Sequence, residues 1–344
     1  MRIRQALCFD DVLVVPKYSD IYSRKEVSLK SDLGAQISLD VPIISSPMDT
    51  VTESSMAAAM SFLGGLGIIH RYNSITEQAQ LVSEAVGAVK RDHVPNIGFA
   101  IGVGDDAIDR ATACVSAGAN VICVDIAHGY HSLMKYTLET LRRTFGSGVH
   151  IMAGNVATPE AHQALSDWGA DSVRVGIGGG SICSTRVKTG HGMPTFQSVY
   201  DCALSGGSAT IIADGGIRNS GDIVKSIAAG ADAVMIGSLL AGTSEAPGEF
   251  TIVDGERVKA YRGMASKDAQ LQWRGHYSSV EGVTSHVRSS GPVESAISDL
   301  DRGLRSGLSY SGCRGISEFH SNCDIIQQTA LGNTESGTHI LNRG

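Results

Sequence analysis

The chain has 344 residues, 42% hydrophobic and 18% charged, with a formal net charge of −7. That balance excludes the basic face of a general nucleic-acid binder, and no apolar run reaches the roughly 18 residues of a membrane span. Seven cysteines without C-x-x-C spacing exclude a disulfide framework and fit a reduced, cytoplasmic protein whose core is large enough to need no covalent staple.

The N-terminus opens on basic residues, but Asp10 and Asp11 interrupt the apolar stretch before it resembles a signal peptide. Short apolar, β-branched runs then recur at 41–45, 66–70, 97–102, 121–126, 150–154, 172–176, 210–213 and 233–237. None alternates, as expected for parallel strands buried on both faces. Helix signals fill the gaps. Segment 106–117 has an acidic start and Gly118 at its end, 158–168 opens with Thr158-Pro159-Glu160 and stops at Gly169, and 222–229 ends at Gly230. Eight such units predict an α/β fold, a TIM (β/α)8 barrel over 1–344 as a single domain. A doubly wound sheet is the alternative, although no edge strand stands out. About sixty residues separate the eighth run from the next strong helix, 293–304, so the stretch at about 243–292 is either disordered or a functional flap. The tail, about 323–344, is polar and weakly patterned.

Barrels collect function at the C-terminal ends of their strands. The residues found there are Ser46 to Asp49, His70 and Arg71, Asp125 with His128, Asn155, the loop from Gly176 to Arg186, Asp214-Gly215-Gly216 and Gly237-Ser238. Cys183 stands at the tip of the glycine-dense loop. Glycines allow sharp turns and close backbone approach, and a thiolate presented this way is a nucleophile; a core cysteine, usually inert, has no need of four preceding glycines. Loops after strands seven and eight often bind phosphate, through glycine amides and a helix N-terminus. The Asp214 carboxylate suits a ribose diol instead. Phosphate beside ribose implies a nucleotide; glycines serving only as turns are the competing reading.

Several longer motifs then carry a resemblance. They are Cys8-Phe9-Asp10-Asp11-Val12-Leu13, Ser45-Ser46-Pro47-Met48-Asp49-Thr50-Val51-Thr52-Glu53, Gly154-Asn155-Val156, the cysteine loop, Ala213-Asp214-Gly215-Gly216-Ile217-Arg218, Gly237-Ser238-Leu239-Leu240-Ala241-Gly242 and Tyr261-Arg262-Gly263-Met264. In these the chain resembles the IMP dehydrogenases and GMP reductases. The resemblance implies a homotetrameric barrel with the purine nucleotide, GMP or IMP, joined to Cys183 through C2. It implies Thr185 and Glu281 as acid–base partners, with substrate contacts from Ser46, Met48, Ser181, Asp214, Gly215, Gly216, Gly237, Ser238, Tyr261, Gly263, Met264, Ala265 and Gly282. Asp125, His128, Asn155, Gly176 and Tyr277 fall on the cofactor side, for NADPH or alternatively NAD+. Carbonyls of Gly178, Gly180 and Cys183 would hold K+, completed by Glu335-Ser336-Gly337 of a neighbouring subunit. Ser23-Arg24-Lys25 would meet a neighbour's cofactor phosphate or form a solvated turn.

Between the two branches, the chain lacks the pair of CBS modules usual in dehydrogenases, since Ser74-Ile75-Thr76-Glu77-Gln78 leads almost directly to the third strand. From Met264 to Glu281 there is no room for the dehydrogenase Arg-Tyr pair, and Arg274 is followed by Gly275. Both features are similar to GMP reductases, as is Val187-Lys188-Thr189-Gly190. Ser46-Pro47-Met48-Asp49, Asp214-Gly215-Gly216-Ile217-Arg218 and Leu239-Leu240-Ala241-Gly242-Thr243 read more like dehydrogenases, and Ser278 stands where many reductases have an arginine. The expected activity is NADPH-dependent reductive deamination of GMP, the alternative a CBS-less IMP dehydrogenase, and the remaining one a non-catalytic nucleotide-binding barrel.

Overall fold

All eight apolar runs become strands of one closed parallel barrel. In the computed structural model, which describes residues 3–89 and 95–337, they are β1 (Ile43–Ser45), β2 (Leu66–Ile69), β3 (Ile97–Ile101), β4 (Val121–Asp125), β5 (His150–Val156), β6 (Ser172–Val175), β7 (Thr210–Asp214) and β8 (Ala233–Ile236). Closure comes from β8 on β1, with Val234 opposite Ile43 and Ile236 opposite Ser45. The sheet has no edge, which rules out the doubly wound alternative.

Helices α1 (Ser54–Phe62), α2 (Ile75–Ala88), α3 (Ala107–Ser116), α4 (Ser132–Phe145), α5 (Pro159–Asp167), α6 (Thr195–Ala203) and α7 (Ser220–Ala228) join successive strands, and α8 (Val293–Tyr310) follows β8 after a long excursion. Local chemistry starts several of them. Ser74 and Glu77 form a reciprocal capping box on α2, and Thr158 caps α5 ahead of Pro159, satisfying amides that the helix leaves unpaired.

The barrel interior is filled by Ile44, Leu66, Ile68, Ala100, Val121, Cys123, Met152, Ile212 and Met235, and a small hairpin adds Leu33, Ile37 and Leu39. That hairpin closes the N-terminal mouth: Leu33 O accepts from Thr210 Oγ1, Asp232 O accepts from Ser31 Oγ, and Gly34 O lies 3.2 Å from His150 Nδ1. Burial pushes His150 below the ordinary histidine range, so a neutral imidazole links the hairpin to Ser172 of β6. With the floor sealed, the open end is the C-terminal one.

Two segments are more structured than their sequence suggested. The chain after β8 forms an antiparallel sheet of β9 (Thr251–Val253), β10 (Glu256–Arg262) and β11 (Thr284–Arg288), with a flap helix, Lys267–Arg274, between β10 and β11. Asp254 and Gly255, both at positive φ, make the tight turn that pairs Val253 with Glu256. In the tail, Ile325–Gln327 pairs with Val12–Val14 near the other end of the chain, and Ala330–Glu335 is helical. The part of the tail at 338–344 lies outside the described residues.

Candidate active site

A cavity of about 350 Å³ opens at the C-terminal mouth of the barrel, within the range of small-ligand sites. Its wall is the loop after β6. Gly176 adopts φ +150°, and a Cβ there would stand 1.9 Å from the Asp214 carbonyl, so only glycine lets this loop cross beside β7. Gly215 and Gly216 continue the wall at φ +95° and +79°, leaving main-chain groups as the surface.

Cys183 is exposed at the loop tip. Its Sγ–H donates to Thr185 Oγ1 at 3.2 Å, and Thr185 Oγ1 donates to Glu281 Oε2 at 2.8 Å. Glu281 comes from almost a hundred residues further along the chain, and main-chain bonds bring it to Cys183 and Thr185. Ser184 N donates to Glu281 O at 2.8 Å, and Val283 N donates to Ile182 O at 3.0 Å. These bonds bracket the Cys183–Gly282 bridge. The other thiols differ in kind. Burial pushes Cys114, Cys123 and Cys202 up to about 12, which keeps them protonated and unreactive at neutral pH.

Opposite the cysteine loop lies a buried ion cluster. Arg174 of β6, only 6% exposed, donates Nη1 to Asp125 Oδ1 at 2.5 Å and Nη2 to Asp214 Oδ2 at 2.8 Å. Burial opposes the charge, but the two carboxylates outweigh it and raise the guanidinium well above its ordinary value. A register shift between Gly154 and Val156 turns Asn155 out of the ladder, and its Nδ2 donates to Gly176 O at 2.9 Å and to Asp214 Oδ2 at 2.8 Å. Asp214 therefore ties the glycine wall, through Arg174, to Asp125 and directly to Asn155.

The structure gathers most of the sequence-selected residues around this one cavity. Ser46, Met48, Asp125, Asn155, Gly176, Gly178, Gly180, Ser181, Cys183, Thr185, Asp214, Gly215, Gly216, Gly237, Ser238, Tyr261, Gly263, Met264, Ala265, Glu281 and Gly282 all line it. Burial raises the Tyr261 phenol above its ordinary value, against a hydrogen bond with Ser181. Two residues stand apart. His128 is exposed on the segment after β4 and does not line the cavity. Tyr277 is 49% exposed, with Lys267 Nζ 4.9 Å from its ring, because it sits on the outer turn after the flap helix. Ser23-Arg24-Lys25 forms an exposed short turn capped by Ser23.

Two contributors, Arg174 and Tyr72, were missed as site residues, and Arg71 was noted at the end of β2 without a role. Arg174 was visible as the one charge inside the apolar run of β6. Arg71 lines the cavity, donates Nη2 to Asp125 O at 3.4 Å, and has a buried Nε without a partner. Tyr72 stacks on Trp273 of the flap helix, with centroids 4.3 Å apart and planes at 8°, and its hydroxyl donates to Met264 O at 2.8 Å. Arg262 and Asp49, paired at 2.5 Å, anchor β10 to the loop after β1. Among the described residues no cluster of three or more His, Cys, Asp or Glu side chains forms a metal site, and no helix is long and apolar enough to cross a membrane.

Fold and site together define a (β/α)8 barrel with an exposed cysteine at the rim of a cavity of small-ligand size. A family profile described as IMP dehydrogenase / GMP reductase domain matches residues 6–339, and the chain belongs to this family of purine nucleotide oxidoreductases, which use nicotinamide cofactors. Among curated relatives, inosine-5'-monophosphate dehydrogenase of Cryptosporidium parvum is 37% identical over 387 residues, covering 98% of this chain and 96% of the relative. GMP reductase of Leishmania major is 31% identical over 480 residues, covering 98% of both. The crystal structure of a GMP reductase from Trypanosoma brucei in complex with guanosine 5'-monophosphate superposes with a TM-score of 0.91 at 32% identity, covering 98% of each chain. Aligned length does not separate the branches, since here the reductase alignment is the longer. The missing insert, which favoured a reductase on sequence, therefore has no weight in that choice.

Proposed function

We propose that the protein is a GMP reductase, converting GMP to IMP and ammonia at the expense of NADPH through a covalent adduct on Cys183. The observation that carries this reading is the continuous Cys183–Thr185–Glu281 relay. A proton leaving Sγ passes to Thr185 Oγ1 as the Thr185 proton passes to Glu281, so the thiolate forms beside the substrate with the charge held on a carboxylate. The thiolate adds to C2 of the purine. Run in reverse, the relay delivers that proton to the C2 amino nitrogen, and the C–N bond breaks with ammonia as the leaving group. Acid–base assistance of this kind contributes about 10²–10⁴-fold.

Main-chain groups of Gly215, Gly216 and Gly237, with Ser238, would bind the phosphate, and Asp214 the ribose. The unpartnered Arg71 Nε, with Asp125 and Asn155 beside it, fits the carboxamide of a nicotinamide, which when bound supplies hydride to C2. The C2–Sγ bond then breaks, releasing IMP and returning the Cys183 thiolate. Backbone oxygens of Gly178, Gly180 and Cys183 are neutral hard donors of the kind a large monovalent cation takes. In a homotetramer, residues 335–337 of a neighbouring subunit would complete such a site, and a K+ ion there would hold the shape of the loop.

An IMP dehydrogenase is the second reading, favoured by the name on many relatives. It needs a base that activates water. The flap arginine, Arg274, is bonded to Gln270 and does not line the cavity, which supports the reductase. A paired assay decides. The purified protein is expected to oxidise NADPH when given GMP, to release ammonia stoichiometrically and to form little XMP from IMP and NAD+. Robust XMP formation without GMP-dependent NADPH oxidation would overturn the choice.

A further inference from the structure

Glu281 reaches Thr185 from the segment at 275–283, which lies between the flap helix and β11 and has no helix or strand of its own. A loop that carries a catalytic carboxylate must be held, because misplacement by about 1 Å costs on the order of 100-fold in rate. Gln270, on the flap helix and 1% exposed, holds it from behind. Its Nε2 donates to Ala265 O at 3.1 Å and to Ser279 O at 2.9 Å, while its Oε1 accepts from Ser278 N at 3.2 Å and Arg274 Nη2 at 2.9 Å. Ala265 O also accepts the Glu281 N–H, at 3.1 Å. One buried amide thus joins the two chain segments that flank the carboxylate.

The carboxylate itself is held separately. Ser279 Oγ donates to Glu281 Oε1 at 3.2 Å, while Thr185 donates to Oε2, so each oxygen has its own hydroxyl. The flap helix is in turn fixed to the barrel by the Trp273–Tyr72 stack, and Asp268 accepts from Thr284 Oγ1 at 2.7 Å. Neither Gln270 nor Ser279 lines the cavity.

We propose that Gln270 and Ser279 are positioning residues for the proton relay: Gln270 fixes the backbone that delivers Glu281, and Ser279 fixes the rotation of its carboxylate toward Thr185. The proposal rests on the relay described above, but not on whether ammonia leaves or water enters. A buried amide whose donors and acceptor are all used cannot be replaced without orphaning its partners, so the hold fails locally when Gln270 is changed.

The test combines hydrogen–deuterium exchange of the peptide spanning 276–284 with steady-state kinetics on both nucleotide pairs, using Gln270→Met, Ser279→Ala and Ser279→Thr. Gln270→Met is expected to speed exchange of that peptide about tenfold while barrel peptides exchange as in the parent. Its kcat should fall about 10- to 100-fold with nucleotide KM within about twofold. Ser279→Ala should leave exchange unchanged and lower kcat about 3- to 10-fold, with Ser279→Thr restoring it. Parental exchange and kcat in Gln270→Met, a rise in KM that accounts for its whole loss, or a threonine no better than alanine at 279 would each overturn the proposal. A parent that turns over neither nucleotide would instead refute the relay, and the exchange result would still decide the hold of Gln270. If Gln270→Met does not fold, Gln270→Glu, which keeps the acceptor and sets an oxygen against two carbonyls, is measured and judged by the same criteria.

Discussion

Replacing Arg174 by Met removes a cation that two carboxylates share inside the barrel mouth. The side chains of Asp125 and Asp214 are 22% and 15% exposed, so solvent screens them only in part. Breaking a buried pair from one side costs about 3–5 kcal/mol, because the remaining charge is stranded. Partial exposure favours the lower figure, about 3 kcal/mol, or roughly 4 °C in Tm for a chain of 344 residues. Without the guanidinium, two neighbouring carboxylates stand with no counter-charge, so the loss is electrostatic. Calorimetry at neutral pH measures it, and adding Asp125→Asn and Asp214→Asn should recover most of the stability but none of the activity. A penalty below about 1 kcal/mol would refute the idea that Arg174 compensates buried charge.

Other perturbations have equally definite outcomes. Cys183→Ala should abolish turnover while nucleotide binding, followed by titration calorimetry, stays near the parental value; turnover within about tenfold of the parent would remove Cys183 from the mechanism. Iodoacetamide at neutral pH should label Cys183 first and GMP should protect it. Cys8, with its thiol pushed up by burial and by Asp11, should react more slowly, and Cys114, Cys123 and Cys202 only after unfolding, as peptide mapping would record. Asp214→Ala should raise nucleotide KM, through loss of charge-assisted bonds worth about 1.5–3 kcal/mol. It should also disturb cofactor KM, because Arg174 joins Asp214 to Asp125; an effect on the cofactor alone would refute the ribose assignment. Trp273→Ala should lower kcat more than Tm, since the stack it makes with Tyr72 pins the flap helix and is worth about 0.5–1.5 kcal/mol beyond its burial.

The barrel was legible because burial on both faces writes each strand as an unbroken apolar run, and because Gly118, Gly169 and Gly230 end helices at matching places. The cysteine loop was legible for a related reason: its glycines have no role in a helix or strand. The flap was only half readable. Its strands β9 and β11 lie largely exposed, so they carry little hydrophobic signal, although Asp254-Gly255 marks the hairpin turn. Arg174 could be seen but not assigned, since a charge within a strand reads as a fault until its two carboxylates are placed opposite. Tyr72 with Trp273 and Gln270 with the Glu281 segment depend on contacts that no local pattern encodes. His128 fell outside the cavity because proximity in sequence to a strand end does not fix the direction of a side chain on the loop beyond it.

A cavity walled on one side by glycine peptide groups has a consequence for how such an enzyme diverges. A Cβ on Gly179 would meet Thr195 Oγ1 at 2.4 Å, and one on Gly237 would meet Tyr261 Oη at 3.0 Å, so the wall admits almost no new chemistry one substitution at a time. On that side it offers N–H and C=O groups, the same ones to any ligand that enters. Side-chain variety enters from above instead, through Tyr261, Met264 and Glu281 of the flap, which main-chain bonds tie to that wall. Substitutions that alter the chemistry of such a site are therefore expected among the flap side chains, while the glycine wall is kept.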